Sequence, residues 1–334
     1  MIRLIAKRFL SAVPSLIGVI IVTFVISHTL PGDPAAYFVG PSATAESIAE
    51  TKARLGLDQP LPVQFFHYVV NVLSGDFGRS VSTGRLVSED LARFFPATLE
   101  MATIGIIIGV LLGVPMGVYA AAHRGRPLDQ VIRVIGMLGY SVPAFWLGLV
   151  GLALFYARFG LVGGPGRLDI FYDGLVPPVT GLILVDSLIA GETDIFFNAI
   201  SHIILPASLL GYYSLAYISR MTRSFMLEQL SSEYVTTARV KGVSEWHVVW
   251  RHAFRNIRIQ LITVIALAYA NLLEGSVLTE IIFAWPGIGQ YITTSLLAND
   301  MNSVLGGTIV IGTIFVAINI FSDLLYRFFD PRSK

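Results

Sequence analysis

The sequence predicts an all-α polytopic membrane protein with six transmembrane helices and both termini cytoplasmic. Of its 334 residues, 54% are hydrophobic and 13% charged, against about 25% charged in an ordinary soluble domain. A spanning helix needs about 20 mostly apolar residues, and such runs lie at 9–30, 98–122, 131–158, 199–219, 258–281 and 304–326. Basic residues orient them. With the N-terminus inside, 16 of the 23 Lys and Arg are cytoplasmic and 7 are not. Segment 31–97 is too long for its charges to steer insertion; without it the contrast is 16 against 2. The net charge of +1 implies no attraction to nucleic acid, and the absence of cysteine excludes disulfides, thiolate metal sites and cysteine nucleophiles.

The first run follows Arg3, Lys7 and Arg8 and resembles a signal peptide in its charge. Its apolar stretch is too long for one, and no small-x-small cleavage site precedes Pro31-Gly32-Asp33-Pro34, so it reads as a retained anchor. Segment 31–97 is then extracytoplasmic. Within it Val63–Leu73 is amphipathic, with Phe65, Phe66, Val69, Val72 and Leu73 near helical spacing between Pro60, Pro62 and Gly75. It is expected on the membrane face or as a cap on the spans. In the second span Gly105, Gly109, Gly113 and Gly117 recur every fourth residue, a stripe that lets helices approach closely. The stripe serves tight packing, or packing that slides during a cycle. Pro115, Pro143 and Pro206 are expected to kink spans two, three and four. The outer loop 159–198, with Gly163-Gly164-Pro165-Gly166 and Pro177-Pro178, reads as an irregular cap.

Ionisable residues in the spans are few. Glu100 stands at the outer edge of span two, and Asp323 lies four residues before Arg327, as in a local helix pair. Glu274 lies deep in span five, roughly 24 Å from its inner end by helix rise. A lipid-facing carboxylate there is costly. It therefore faces a water-filled path or a partner, or is a protonated carboxyl hydrogen-bonded between helices.

Enzyme chemistry is not assembled. There is no phosphate-binding Gly-x-x-x-x-Gly-Lys-Ser/Thr, no Gly-x-Ser-x-Gly and no His-Glu-x-x-His. The histidines at 28, 67, 123, 202, 247 and 252 are scattered, and the spacing of His247 and His252 does not put two ligands on one helical face. No catalytic residue, metal site or cofactor site is expected in this chain.

The cytoplasmic loop 231–256 reads as two short helices with a hinge. Ser231 or Ser232 caps the first, Gly242 ends it in a left-handed conformation, and Ser244 caps the second with Glu245 in its first turn. On the second helix Trp246, Val249, Trp250, Ala253 and Phe254 share a face, with Arg251 and Arg255 on another. Thr237 and Ala238 offer small side chains beside Arg239 and Lys241. Such a knob suits a groove on a cytosolic partner; a basic, aromatic helix resting on anionic lipid is the alternative.

The loop resembles the EAA loop of ABC importer membrane subunits. Aligned on Gly242, only Ala238 and Gly242 match the general pattern. The form present, Glu233-Tyr234-Val235-x-Thr237-Ala238-Arg239-x-Lys241-Gly242 followed by Arg251-His252-Ala253-x-Arg255-Asn256, is similar to the dipeptide/oligopeptide/nickel permease family, most closely its dipeptide B-type subunits. Further matches run in order along the chain: Leu30–Pro34, Gly75–Ser80, Pro96–Glu100, Gly139–Trp146, Arg220–Ser224 and Thr279–Gly289. Glu274 and Arg258-Ile259-Gln260 depart from the pattern.

The resemblance implies a type I ABC importer transmembrane fold filling 1–334 as one domain, with 31–97 extracytoplasmic and 98–326 the core permease region. The chain would be a multi-pass permease of the bacterial cytoplasmic membrane, forming half of a path for di- or oligopeptides. Its partners would be a second homologous permease subunit, two ABC ATPase subunits and an extracytoplasmic solute-binding protein, with membrane lipid around it. ATP and Mg would be bound by the ATPases. Loop 231–256 would couple to them through Glu233, Tyr234, Thr237, Ala238, Arg239, Lys241, Gly242, Trp246, Arg251 and His252. Ser141, Pro143, Asn271, Glu274 and Glu280 would line the path. Nickel chelates, opines or other small solutes are the alternative cargo. A proton-coupled secondary transporter and a structural membrane protein are rival readings.

Overall fold

The computed structural model of the chain describes residues 2–29, 35, 44–54, 56 and 58–329. The helices follow as α1 (Ile2–Thr29), α2 (Ala45–Arg54), α3 (Leu61–Ser74), α4 (Val87–Ala122), α5 (Pro127–Ser141), α6 (Ala144–Gly151), α7 (Ile183–Ala190), α8 (Thr193–Leu230), α9 (Glu233–Val240), α10 (Phe254–Gly275), α11 (Val277–Ile282), α12 (Ile288–Leu297) and α13 (Met301–Phe329). Leu152–Arg158 continues α6 as a π-helix, and π-helical His247–Ala253 leads into α10. Among the described residues, four helical runs are long and apolar enough to cross a membrane: α4, α8, His247–Gly275 and Met301–Phe321. In α1 the apolar helix among the residues whose side chains are described is Val13–Ile26.

The third predicted span is not one kinked helix. It is a pair, Pro127–Ser141 and Ala144–Arg158, bent by 103°. The ring of Pro143 pushes the preceding residue out of the helical region, and Val142 is extended (φ −93°, ψ 127°). Its carbonyl is satisfied by the Tyr213 hydroxyl at 3.0 Å. Helices α4 and α8, by contrast, run on through Pro115 and Pro206. Several helices outrun their apolar cores. Helix α8 reaches from Thr193 to Leu230, well beyond 199–219, because Thr222 and Met226 in its polar extension are themselves buried. The Asp323–Arg327 pair lies outside the residues whose side chains the structure describes.

The chain divides into two compact units. One comprises Met1–Thr98 and Pro286–Ala317, the other Leu99–Trp285 and Ile318–Lys334. In the first, Val87, Leu91, Ile288 and Tyr291 form a core with Phe77, Phe94 and Val310 around it. Phe94 stacks on Tyr291 at 4.8 Å. Beside this core two carboxylates are buried. Asp90 accepts from Arg85 Nε (2.6 Å) and Tyr291 hydroxyl (3.3 Å), and Asp300 from Ser80 Oγ (2.6 Å), Ser82 N (3.1 Å) and Ser303 Oγ (2.9 Å). Burial alone raises the Asp300 carboxyl, but these donors outweigh it and hold it below the ordinary carboxylate value. Burial pushes the Tyr291 hydroxyl up to about 12.

In the second unit the glycine stripe of α4 lies against α8. An added Cβ at Gly105 would meet Leu210 Cβ at 2.9 Å, at Gly113 the Leu215 carbonyl at 3.1 Å, and at Gly117 the Ser219 carbonyl at 2.6 Å. Gly109 faces Ser214, and Gly211 of α8 answers from the other side against Ile108. The loop after Arg158 is irregular as far as Leu182 and is tied down by carboxylates. Glu100 accepts from Arg167 Nη2 (2.5 Å) and Leu184 N (2.8 Å). Asp186 accepts from the backbone N–H groups of Val179, Thr180 and Gly181 and from Thr180 Oγ1. Burial works against the charge of Asp186, and those donors together bring its carboxyl below the ordinary value.

Candidate functional site

The elbow 231–256 lies within the second unit, and its first half is built as the spacing predicts. Gly242 has φ +76°. Its N–H donates to Arg239 O (2.9 Å) and that of Val243 to Ala238 O (3.1 Å). This is a Schellman closure, and Val243 packs on the small core of Val235, Ala238 and Val248 that accompanies it. The caps differ from expectation. Ser232 stands at the N-cap of α9 but makes no side-chain cap bond; the Ser231 and Ser232 hydroxyls donate back to Glu228 O at 2.9 and 3.2 Å. Ser244 Oγ bonds the ring of His247 at 2.8 Å instead of a backbone N–H. Glu245 reaches across the bend to Arg239, with Nε···Oε1 at 2.7 Å and Nη2···Oε2 at 3.2 Å, an exposed bidentate pair that links the two helices.

The shared aromatic face of the second helix is mostly turned inward. Val249, Ala253 and Ile257 pack on Val118 and Ala121 of α4 and Met226 of α8, with Trp250 and Phe254 at the edge. Ala238 is likewise buried, in the core of the elbow. Of the coupling residues expected from the sequence, Glu233, Tyr234, Thr237, Arg239, Lys241, Gly242 and Arg251 are exposed, with Thr236, Glu245, His247 and Arg255 beside them. His252 is half-buried. Two uncovered apolar side chains stand among the polar ones, Val240 at 84% and Trp246 at 68% exposure. Val240 was not singled out by sequence; it follows the polar face of α9 and has no periodic partner.

The residues assigned to a path part company. Asn271 lines a cavity of about 330 Å³ with Tyr140, Tyr213, Tyr217 and Thr279. Ser141 lines a larger one of about 880 Å³ between α5 and α8, with Tyr140, Arg133 and Arg220. Tyr140 belongs to both walls, and Arg220 holds its guanidinium 4.6 Å from the centre of that ring. On α8 the lining residues Leu210, Tyr213, Tyr217, Arg220, Ser224 and Leu227 follow one helical face through both cavities. Pro143 is exposed at the break between α5 and α6. Glu274 is exposed on the chain's surface and makes no hydrogen bond or ion pair among the described residues. A carboxyl bonded between helices of this chain is therefore not its situation. Glu280 does not line an open surface: it is fully buried and accepts from Ser276 Oγ at 2.9 Å.

Sequence reasoning also passed over Asp129. It is 1% exposed and bidentate with Arg223, at 2.7 Å (Nε) and 2.9 Å (Nη2), and it accepts from Gly125 N at 3.0 Å. The signal was present in Arg220-Met221-Thr222-Arg223, whose second arginine needed an acid, but nothing in the sequence says which acid folds against it.

A family model described as binding-protein-dependent transport system inner membrane component matches residues 113–334, and its N-terminal companion matches residues 1–102. The chain is 45% identical to a probable D,D-dipeptide transport system permease protein of Escherichia coli K12, over 94% of this chain and 92% of that one. It is 40% identical to a di/tripeptide transport system permease protein of Pseudomonas aeruginosa, covering 100% of this chain and 99% of the relative. It is 38% identical to a dipeptide transport system permease protein of E. coli K12, with the same coverage of 100% and 99%.

Proposed function

We propose, on the premise that this chain belongs to the family of binding-protein-dependent transport system inner membrane components, that it forms half of the path of an ATP-driven importer for di- and oligopeptides. The chain is a permease component of the bacterial inner membrane. The observation that carries the cargo assignment is agreement among its full-length relatives, which are named for D,D-dipeptide, di/tripeptide and dipeptide transport. A second, homologous permease supplies the other half of the path, two separate ATPase subunits hydrolyse ATP, and an extracytoplasmic binding protein delivers the peptide.

The elbow 231–256 is the handle for the ATPases. Val240 and Trp246 supply uncovered apolar area, which a docked groove would bury, and Tyr234, Thr237, Arg239 and Lys241 supply the polar rim around it. The packing of Val249, Ala253 and Ile257 on α4 and α8 supports a rigid transmission. A displacement of the elbow then moves the spans rather than bending the loop, because close-packed contacts transmit strain. Replacement of Trp246 by alanine should leave the chain in the membrane and lower peptide uptake by tenfold or more, with the ATPases no longer copurifying; retention of both would remove Trp246 from the interface. The wall of α8 that carries Tyr213, Tyr217 and Arg220, with Tyr140, Ser141 and Asn271 beside it, is the path surface. Glu274, exposed and unpaired among the described residues, belongs to the same path or to the facing permease. Glu274→Gln is expected to lower uptake several-fold and Glu274→Asp to recover part of the loss; native rates for Glu274→Gln at every pH tested would retire the assignment.

The whole reading is tested by purifying the chain with whatever copurifies, reconstituting it, and following a labelled dipeptide. Uptake should require ATP and the binding protein. Uptake that survives ATP depletion and collapses with an uncoupler would overturn it.

A further inference from the structure

Helix α3 contains no charged residue, and none of its 14 residues is buried. It packs on α1 within the first unit, and the pairings fix its direction. The His28 ring lies 2.8 Å from Gln64 Oε1, Phe24 meets Phe65 edge-on at 5.2 Å and Tyr68 at 5.7 Å, and the Tyr68 hydroxyl donates to Thr23 Oγ1 at 3.0 Å. Rising numbers on α3 meet falling numbers on α1, so α3 turns back along the span rather than lying across its end. Thr23 and Phe24 belong to the apolar stretch Val13–Ile26 of α1. The pairings of Thr23 and Phe24 with Phe65 and Tyr68 are therefore at the level of that stretch.

The circumference of α3 is sorted. Gln64, Phe65, Tyr68, Val69 and Val72 are the half-covered side, turned to α1, and His67, Asn71 and Ser74 form an exposed polar edge. Between them Val63, Phe66, Val70 and Leu73, at helical spacing, are exposed, with Leu73 at 77%. A stripe of this kind at the depth of an apolar span meets acyl chains. We propose that α3 is a lipid-embedded anchor, inserted beside the first span with Val63, Phe66, Val70 and Leu73 against the acyl chains and with Leu73 the deepest of them. This goes beyond the transport reading and does not depend on cargo.

The chain has no cysteine of its own, so single cysteines can be placed in it without a background from this subunit. Nitroxide labels at Phe66→Cys, Val70→Cys, Leu73→Cys, His67→Cys and Asn71→Cys would be read in the complete importer in nanodiscs of phosphatidylcholine and phosphatidylglycerol. The collision rates with oxygen and with a water-soluble nickel chelate are compared. Positions 66, 70 and 73 should be oxygen-accessible and nickel-shielded, with the ratio rising towards 73, and positions 67 and 71, on the other edge of the helix, should show a lower oxygen-to-nickel ratio than 66 and 70. Nickel access at 66, 70 and 73 would show the stripe to be in water. Shielding from both reagents would show it to be covered by another protein subunit. Either result overturns the proposal. For any label that prevents assembly, Leu73→Trp in lipid brominated on its acyl chains replaces it. Quenching beyond that of the unsubstituted complex supports insertion, and its absence refutes it.

Discussion

Gly242→Val is expected to abolish peptide uptake, or cut it at least tenfold, while the chain still inserts in the membrane. The reason is backbone conformation, not bulk. Gly242 has φ +76°, and an added Cβ would meet nothing within 4 Å in this chain. An L-residue with a side chain pays about 1–2 kcal/mol to sit there, and a β-branched one is the worst placed of all. If the residue relaxes to negative φ, the bonds from Gly242 and Val243 to Arg239 and Ala238 are lost together and Val243 leaves the core of Val235, Ala238 and Val248. That core sets the direction of α9 relative to the helix that follows, with the exposed Arg239–Glu245 pair linking the two. A series separates strain from contact. Asparagine tolerates the left-handed region better than other residues with side chains, so uptake should fall in the order Gly, Asn, Ala, Val. Loss as complete with Asn as with Val would mean that a partner presses on this position and excludes any side chain. Native uptake with Val would remove the elbow from the coupling role.

The elbow shows what local sequence can and cannot reveal. Gly242 was legible because a glycine after a short helical pattern has a backbone reason to be there. Ser232 takes the N-cap position of α9, but no serine hydroxyl bonds the helix N–H groups, because α8 does not stop with its apolar stretch. It runs on to Leu230, and hydroxyls one or two residues later find the carbonyl of Glu228 before any N–H of α9. Of Trp246, Val249, Trp250, Ala253 and Phe254, which helical spacing puts on one face, Val249 and Ala253 are buried while Trp246 is 68% exposed, because His247–Ala253 is π-helical and because periodicity does not say what covers a face. Here α4 and α8 do, and the apolar side chains left uncovered on the elbow are Val240 and Trp246. The break at Val142 follows from the residue after it, yet proline inside an apolar run permits a kink or a break alike. The nearby tyrosine hydroxyl that satisfies the freed carbonyl, Tyr213, comes from a helix far along the chain. Asp129 and Arg223, and Glu100 and Arg167, are pairings of the same long-range kind.

The glycine stripe carries the other large effect. Gly117→Val is expected to lower sharply the amount of folded protein in the membrane, and Gly117→Ala to lower its thermal stability. A Cβ at 117 would lie 2.6 Å from both the Ser219 carbonyl and Thr222 Cβ. Neither is the free end of a flexible side chain, so the new atom has nowhere to go unless α4 and α8 separate. Separation is resisted along the whole seam, since Gly105, Gly109 and Gly113 bring the same two backbones together and Gly211 closes the contact from α8. Within lipid there is no hydrophobic gain to hold loosened helices together, and close van der Waals contact is much of what binds them. Overpacking of this kind costs typically 1–3 kcal/mol, and more for valine than for alanine here. Gly136→Ala is the control. It is a helical glycine whose added Cβ would make only ordinary contact, 3.8 Å from the Ala216 carbonyl, and alanine favours the helix. Its stability should be native or slightly higher. The same measurement separates the alternatives for the stripe. If Gly117→Ala melts earlier and its residual folded fraction transports at the native rate per molecule, the stripe serves packing. If it melts like the native protein but transports poorly, the two helices must slide against each other during the cycle. Unchanged melting together with unchanged transport would contradict the close approach itself.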